Sequence, residues 1–191
     1  MNTEKLVASH VAAVPPSGIR KFFDIASDMK NVISLSVGEP DFVTPWNVRV
    51  AAISSIEQGR THYTSNYGMM ELRELISEYL SSRYHVQYPA EQVLVTIGAS
   101  EALDLAFRAI LEPGDEVLVP APSYVSYEPG VAFCHGVPVP VETKEEDNFI
   151  LTPEQIERVI TKKTKAIVLP YPNNPTGAIM TREQLEAIRT V

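Results

Sequence analysis

The fold is decided by the stretch Val93-Leu94-Val95-Thr96-Ile97-Gly98-Ala99-Ser100-Glu101-Ala102, followed at helix length by Pro113-Gly114 and then by Glu116-Val117-Leu118-Val119. A short β-branched run reads as a buried strand, and Gly98 allows a tight turn out of it. Ala102, Leu103, Ala106, Phe107, Ile110 and Leu111 then recur at helical spacing. Pro113-Gly114 stops that helix, and the second apolar run begins another strand. Strand, helix, strand is the unit from which parallel sheets are built.

Toward the carboxyl end the same alternation continues. Residues 123–134 include a helix, and Val137 to Val141 reads as a third strand. Pro138 and Pro140 place that strand at an edge, because each lacks a ladder donor. Thr152-Pro153-Glu154-Gln155 is a capping box opening a helix to about Ile160, and Ala166-Ile167-Val168-Leu169 is a fourth strand. Thr181-Arg182-Glu183-Gln184 is a second capping box, whose helix is still in phase at Val191. That unfinished phase reads as a fragment of a longer protein. Four successive units predict an α/β fold, a three-layer α/β/α arrangement around a mainly parallel sheet. In such sheets ligands collect beyond the carboxyl ends of the strands.

Toward the amino end, Leu72, Leu75, Ile76, Tyr79 and Leu80 mark a helix beyond Gly68, preceded by a hydroxyl-rich loop with Thr61, Tyr63, Thr64 and Tyr67. Thr44-Pro45 opens an earlier helix, with a capping hydroxyl and proline at its first position. That helix carries Val48, Ala52, Ile53 and Ile56 and closes at Gly59. Before it come a short amphipathic helix, Ile19 to Met29, and a brief strand, Val32 to Val37, ending at Gly38-Glu39-Pro40-Asp41.

Composition narrows the function. Of 191 residues 45% are hydrophobic and 21% charged, enough apolar content for a packed core and against disorder. Sixteen basic against 24 acidic residues give a net charge of −8, which excludes a general binder of nucleic-acid backbone. The single cysteine, Cys134, excludes an internal disulfide and a multi-cysteine metal cluster, and the four histidines have no metal-type spacing, so no metal site is expected. No signal peptide and no run long enough to span a bilayer are visible, so the expected location is cytoplasmic, with no membrane partner.

Three junctions carry candidate chemistry. At Gly98-Ala99-Ser100 the amides at a helix start suit a phosphate, with the Ser100 hydroxyl adding a donor; a plain N-cap at Ser100 is the alternative. Glu101 would repel that phosphate, so its side chain should point away. Pro122-Ser123-Tyr124 sets an aromatic ring past a strand's carboxyl end, where it either packs or meets a ligand. Tyr171-Pro172-Asn173-Asn174-Pro175-Thr176-Gly177 is a loop stiffened by proline, which either positions the Asn174 amide or simply turns.

In this order, Gly38-Glu39-Pro40-Asp41-Phe42, Tyr63-Thr64 with Gly68 and Glu71-Leu72-Arg73, Gly98-Ala99-Ser100-Glu101-Ala102, Pro122-Ser123-Tyr124 and Asn174-Pro175-Thr176-Gly177 resemble one family. It is the class I/II aminotransferases, pyridoxal 5'-phosphate enzymes of the aspartate aminotransferase fold. Within it the chain looks most similar to bacterial aromatic or broad-specificity members. The resemblance implies residues 1–45 as an N-terminal arm and small-domain segment, and 46–191 as the N-terminal part of the cofactor-binding large domain. It implies a homodimer acting on an amino acid and a 2-oxo acid. Ala99 and Ser100 would hold the cofactor phosphate, Tyr124 would stack on its ring, and Asn174 would bond the phenolic oxygen and help orient the substrate carboxylate. Gly38 would bring a backbone amide to that carboxylate, and Tyr63 would reach the partner's phosphate. Relatives often carry a second glycine and a threonine where Ala99 and Ser100 stand, a conservative change.

The family's Schiff-base lysine, its acidic partner for the pyridine nitrogen and its carboxylate-gripping arginine follow the Asn-Pro-Thr-Gly loop. None of Lys5, Lys21, Lys30, Lys144, Lys162, Lys163 and Lys165 has the serine-flanked setting of that lysine, so no catalytic residue is nominated and the chain alone is expected to be inactive. The competing readings are a lyase using the same cofactor, a regulator domain of the same fold, and a generic nucleotide-binding domain. A regulator's DNA-binding segment finds no room in the sixteen residues before the resemblance begins.

Overall fold

The computed structural model describes residues 6–16, 18, 25, 29, 33 and 40–191. The expected helix at 19–29, the strand at 32–37 and Gly38 therefore lie outside the described residues, apart from isolated positions. The chain divides into two compact units, one of residues 18–96 and one of residues 1–17 with 97–191.

In chain order the helices and strands are α1 (Ser9–Ala12), α2 (Trp46–Glu57), α3 (Met70–Tyr84), α4 (Gly98–Ile110), β1 (Glu116–Ala121), α5 (Tyr127–Phe133), β2 (Val137–Glu142), α6 (Pro153–Glu157), β3 (Thr164–Ile167) and α7 (Arg182–Arg189). The sheet is parallel, in the order β2-β1-β3. Leu118 pairs with Val139 on one side and with Ile167 on the other, and the β1–β3 register slips between Glu116 and Val117. Among the described residues β2 is an edge strand, which accommodates Pro138 and Pro140.

Alternation along β1 builds the layers. Val117 and Val119 face Phe107 and Leu111 from α4 and its end, with Val131 and Cys134 from α5 and its end. Leu118 faces the opposite way, onto Val141, Leu151, Ile156 of α6 and Ile188 of α7. Helices thus cover both faces of the sheet, as the alternation predicts. Each such aliphatic side chain contributes about 1.5–3 kcal/mol by leaving water.

Both capping boxes form. The Thr152 and Thr181 hydroxyls accept from the amides of Gln155 and Gln184, whose side chains accept in return from the Thr152 and Thr181 amides at 2.9 and 2.8 Å.

Several expectations need correction. Val93 to Ile97 belongs to no ladder; Val93 is extended, but Ile97 already bends into the helix start. Among the described residues no strand lies beside the run; the Val95 amide donates to Tyr67 O and the Val93 amide to Ala90 O, each at 3.1 Å. Ile97 is 91% exposed, so the run is apolar without being buried. The hydroxyl of Thr44 does not cap α2; Pro45 occupies the cap position, and no side chain bonds the helix start. The face expected to be inward, with Val48, Ile53 and Ile56, is exposed. On α4 only Leu103, Phe107 and Leu111 turn inward, while Ala102, Ala106 and Ile110 do not. The helix α6 ends at Glu157, short of Ile160, and β3 begins at Thr164, two residues before the expected Ala166.

Leu118 is 1% exposed and Val48 50%. Leu118→Ala is therefore expected to lower unfolding free energy by about 2–5 kcal/mol in urea titrations, and Val48→Ala by no more than about 0.5 kcal/mol. Similar losses for the two would contradict the layer assignment.

Candidate ligand site at the strand ends

In the unit of residues 97–191, β1 and β3 run the same way, so their following loops emerge at one end of the sheet. The end of β1 is fixed first. Ala121 O accepts from both the amide and the hydroxyl of Thr143, at 2.8 and 3.0 Å. Beyond it the chain turns through Pro122 to Tyr124. The Tyr124 ring meets Tyr127 edge-on, with centroids 5.6 Å apart. Side-chain hydrogen bonding from Ser126, and next from Ser100, holds the Tyr124 phenol below its ordinary pKa. The Ser100 side chain in the first turn of α4 and the ring after β1 are thus neighbours.

The second loop, after β3, is pinned at both ends. Tyr171 donates its hydroxyl to Phe149 O at 3.2 Å and accepts the Leu151 amide at 3.0 Å, while burial pushes its phenol upward in pKa. Asn173 is 5% exposed, and its Nδ2 donates to Pro122 O and to Thr176 Oγ1, each at 3.0 Å. Gly177 N donates to Asn173 O at 2.8 Å, and Asn173 N to Ala178 O at 2.9 Å, closing the turn. Asn174 lies next in this pinned loop and is exposed. Sequence reasoning passed over Asn173 in favour of Asn174. The only signal for it was the asparagine doublet itself, and which of the two amides is buried depends on the distant Pro122 carbonyl.

The helix α4 starts at Gly98, not at Ser100, so Ser100 is not an N-cap. Gly98 takes φ +79°, a left-handed conformation open to glycine at little cost. The Glu101 carboxylate turns back to accept the amide of Ile97, the residue before the helix. No side chain caps the first turn, and Ala99 and Ser100 are both exposed. An open helix start carries partial positive charge suited to a phosphate. The Tyr124 ring neighbours Ser100, and Pro122, two residues before that ring, is tied to the braced loop. This donor set fits a flat aromatic phosphate ester such as pyridoxal 5'-phosphate.

Tyr63 belongs to the other unit and is fully exposed there. Its loop is braced by Arg73, 6% exposed, whose Nε donates to Ala90 O and Val93 O at 3.0 and 2.9 Å and whose guanidinium lies 5.5 Å from the Tyr67 ring centre. Gly68, at φ +95°, passes so close to Val95 that a Cβ would stand 2.8 Å from its side chain. Lys144, Lys162, Lys163 and Lys165 are all exposed, and Lys162 and Lys163 precede β3, at the opposite end of the sheet from the loops described.

The sequence pattern of the family described as aminotransferase class I and II matches residues 30–191. The chain is 51% identical over 183 residues to a putative aminotransferase, YugH, of Bacillus subtilis, covering 95% of this chain and 47% of that protein. It is 43% identical over 185 residues to an aspartate aminotransferase of Pyrococcus horikoshii, covering 97% and 47% respectively. Among solved structures, the aspartate aminotransferase from Thermus thermophilus with maleate superposes with a TM-score of 0.89 at 40% identity, over 96% of this chain and 49% of that one. The chain spans about half the length of the curated relatives it matches.

The Tyr124 geometry is open to direct measurement. Removing the Ser126 hydroxyl by Ser126→Ala should raise the Tyr124 phenol toward its ordinary pKa. Ultraviolet titration of phenolate reads this, with Tyr124→Phe identifying the band among the eight tyrosines. Because the folded phenol is depressed, its stabilising effect belongs to alkaline pH above the unfolded value and disappears as pH falls through the folded one. An unchanged titration in Ser126→Ala would contradict the arrangement.

Proposed function

This chain belongs to the class I and II aminotransferases, and on that premise we propose that it forms the phosphate- and ring-holding part of a pyridoxal-phosphate enzyme. The whole protein would transfer an amino group between an L-amino acid and a 2-oxo acid. The observation that carries the reading is the meeting of Ser100 with Tyr124, beside a helix start that no side chain caps.

The residues divide the work by their chemistry. The Ala99 and Ser100 amides, aided by the Ser100 hydroxyl, bind a phosphate group at the positive end of α4. The ring of Tyr124 packs on a flat heteroaromatic ring, a contact worth about 0.5–1.5 kcal/mol beyond area burial. The Asn174 amide donates to the ring's phenolic oxygen and orients the substrate carboxylate, to which Gly38 adds a backbone amide. Tyr63 serves the phosphate of a second copy in a homodimer. When bound, the cofactor supplies an electron sink for the carbon that loses its proton. Residues 1–45 act as arm and small-domain segment, residues 46–191 as part of the large domain, and the enzyme works in the cytoplasm.

By this reading the 191-residue chain binds pyridoxal 5'-phosphate without turning over substrate. At a hundredfold excess over Kd the ligand should stabilise it by about 2.7 kcal/mol, a Tm rise of roughly 5–10 °C, while ATP changes nothing. A rise with ATP and none with pyridoxal phosphate would overturn the reading in favour of a nucleotide-binding domain. A borohydride-trapped lysine adduct accompanied by turnover would overturn the expectation of inactivity.

A further inference from the structure

We propose that Asn173 is a positioning residue that sets how the ring of the cofactor is held without touching it, by tying the loop bearing Asn174 to the loop bearing Tyr124. The inference rests on the cofactor reading above. Its warrant is the bonding of one side chain. Pro122 O and the backbone carbonyls around it only accept, so the bond at 3.0 Å fixes the nitrogen of the Asn173 amide toward Pro122. The second Nδ2 hydrogen goes to Thr176 Oγ1, which also accepts the Ala178 amide at 3.2 Å. Both donors are therefore spent across the two loops, one of them over a separation of 51 residues.

The oxygen of the same amide is buried and, among the described residues, meets no donor. An unsatisfied buried acceptor is unfavourable and offsets what the two donated bonds contribute. Asn173 is thus a weak stabiliser of the fold and a strong constraint on geometry. The two residues after Pro122 lead to the Tyr124 ring, and the residue after Asn173 is Asn174. Loss of the tie should loosen the grip on a ring while leaving the first turn of α4, and hence a bare phosphate, untouched.

Two probes separate these effects in the 191-residue chain. Pyridoxamine 5'-phosphate presents ring and phosphate but has no aldehyde to react with surface lysines; inorganic phosphate presents the phosphate alone. In calorimetric titrations Asn173→Ala should weaken pyridoxamine phosphate about tenfold or more and leave inorganic phosphate within about twofold. Thr176→Val should reproduce the loss and Thr176→Ser should restore binding, which keeps the test valid if Asn173→Ala does not fold. Unchanged pyridoxamine phosphate affinity in both Asn173→Ala and Thr176→Val, or an equal loss for both probes, overturns the positioning role. Absence of pyridoxamine phosphate binding by the unaltered chain overturns the cofactor reading as well, and so tells the two failures apart.

Discussion

The structure of the 97–191 unit depends on a single buried strand. Residues 117–119 of β1 have no usable contact with water, so helices must pack on both faces, and the neighbouring strands must run parallel because each returns through a helix. Parallel strands end together. The Pro122–Tyr124 turn and the Tyr171–Ala178 loop therefore emerge at the same end of the sheet, where the Ser100 side chain in the first turn of α4 neighbours Tyr124. The candidate surface is a geometric consequence of hydrophobic burial three residues deep.

What burial cannot do is fix loops to better than their own flexibility. Here polar bonds take over, each spanning a long stretch of sequence. Thr143 closes the end of β1, Tyr171 clasps the 149–151 segment, and Asn173 reaches Pro122. The individual contributions are modest, on the order of 1 kcal/mol each. Their effect is to fix the loops that carry Tyr124 and Asn174; for the ligand proposed above, that would leave little ordering entropy to lose on binding.

Most of this frame was legible in the sequence because it rests on local chemistry. The two capping boxes, the edge strand marked by Pro138 and Pro140, and the alternation of Val117, Leu118 and Val119 all appear where pattern and propensity place them. The failures share a cause. Val93 to Ile97 has every mark of a strand, yet a strand exists only by pairing, and no local signal reports whether a partner is at hand. Ala102, Ala106 and Ile110 on α4, and the apolar side of α2, match a helical period without being buried, since period does not say what lies opposite. At the candidate site, junction chemistry singles out Ser100, Tyr124 and the loop with Asn174 but leaves their roles open. It passes over Asn173, because the role of that residue is decided by a carbonyl 51 residues away.

The central claim is that Ala99 and Ser100, Tyr124 and Asn174 serve one ligand. A crystal structure of the chain grown with pyridoxal 5'-phosphate tests it most directly. The account predicts the phosphate on the first-turn amides of α4, the pyridine ring against Tyr124 and the phenolic oxygen at the Asn174 amide. Density for the cofactor at any other place, such as the lysine-rich turn before β3, with this end of the sheet left bare, would contradict it.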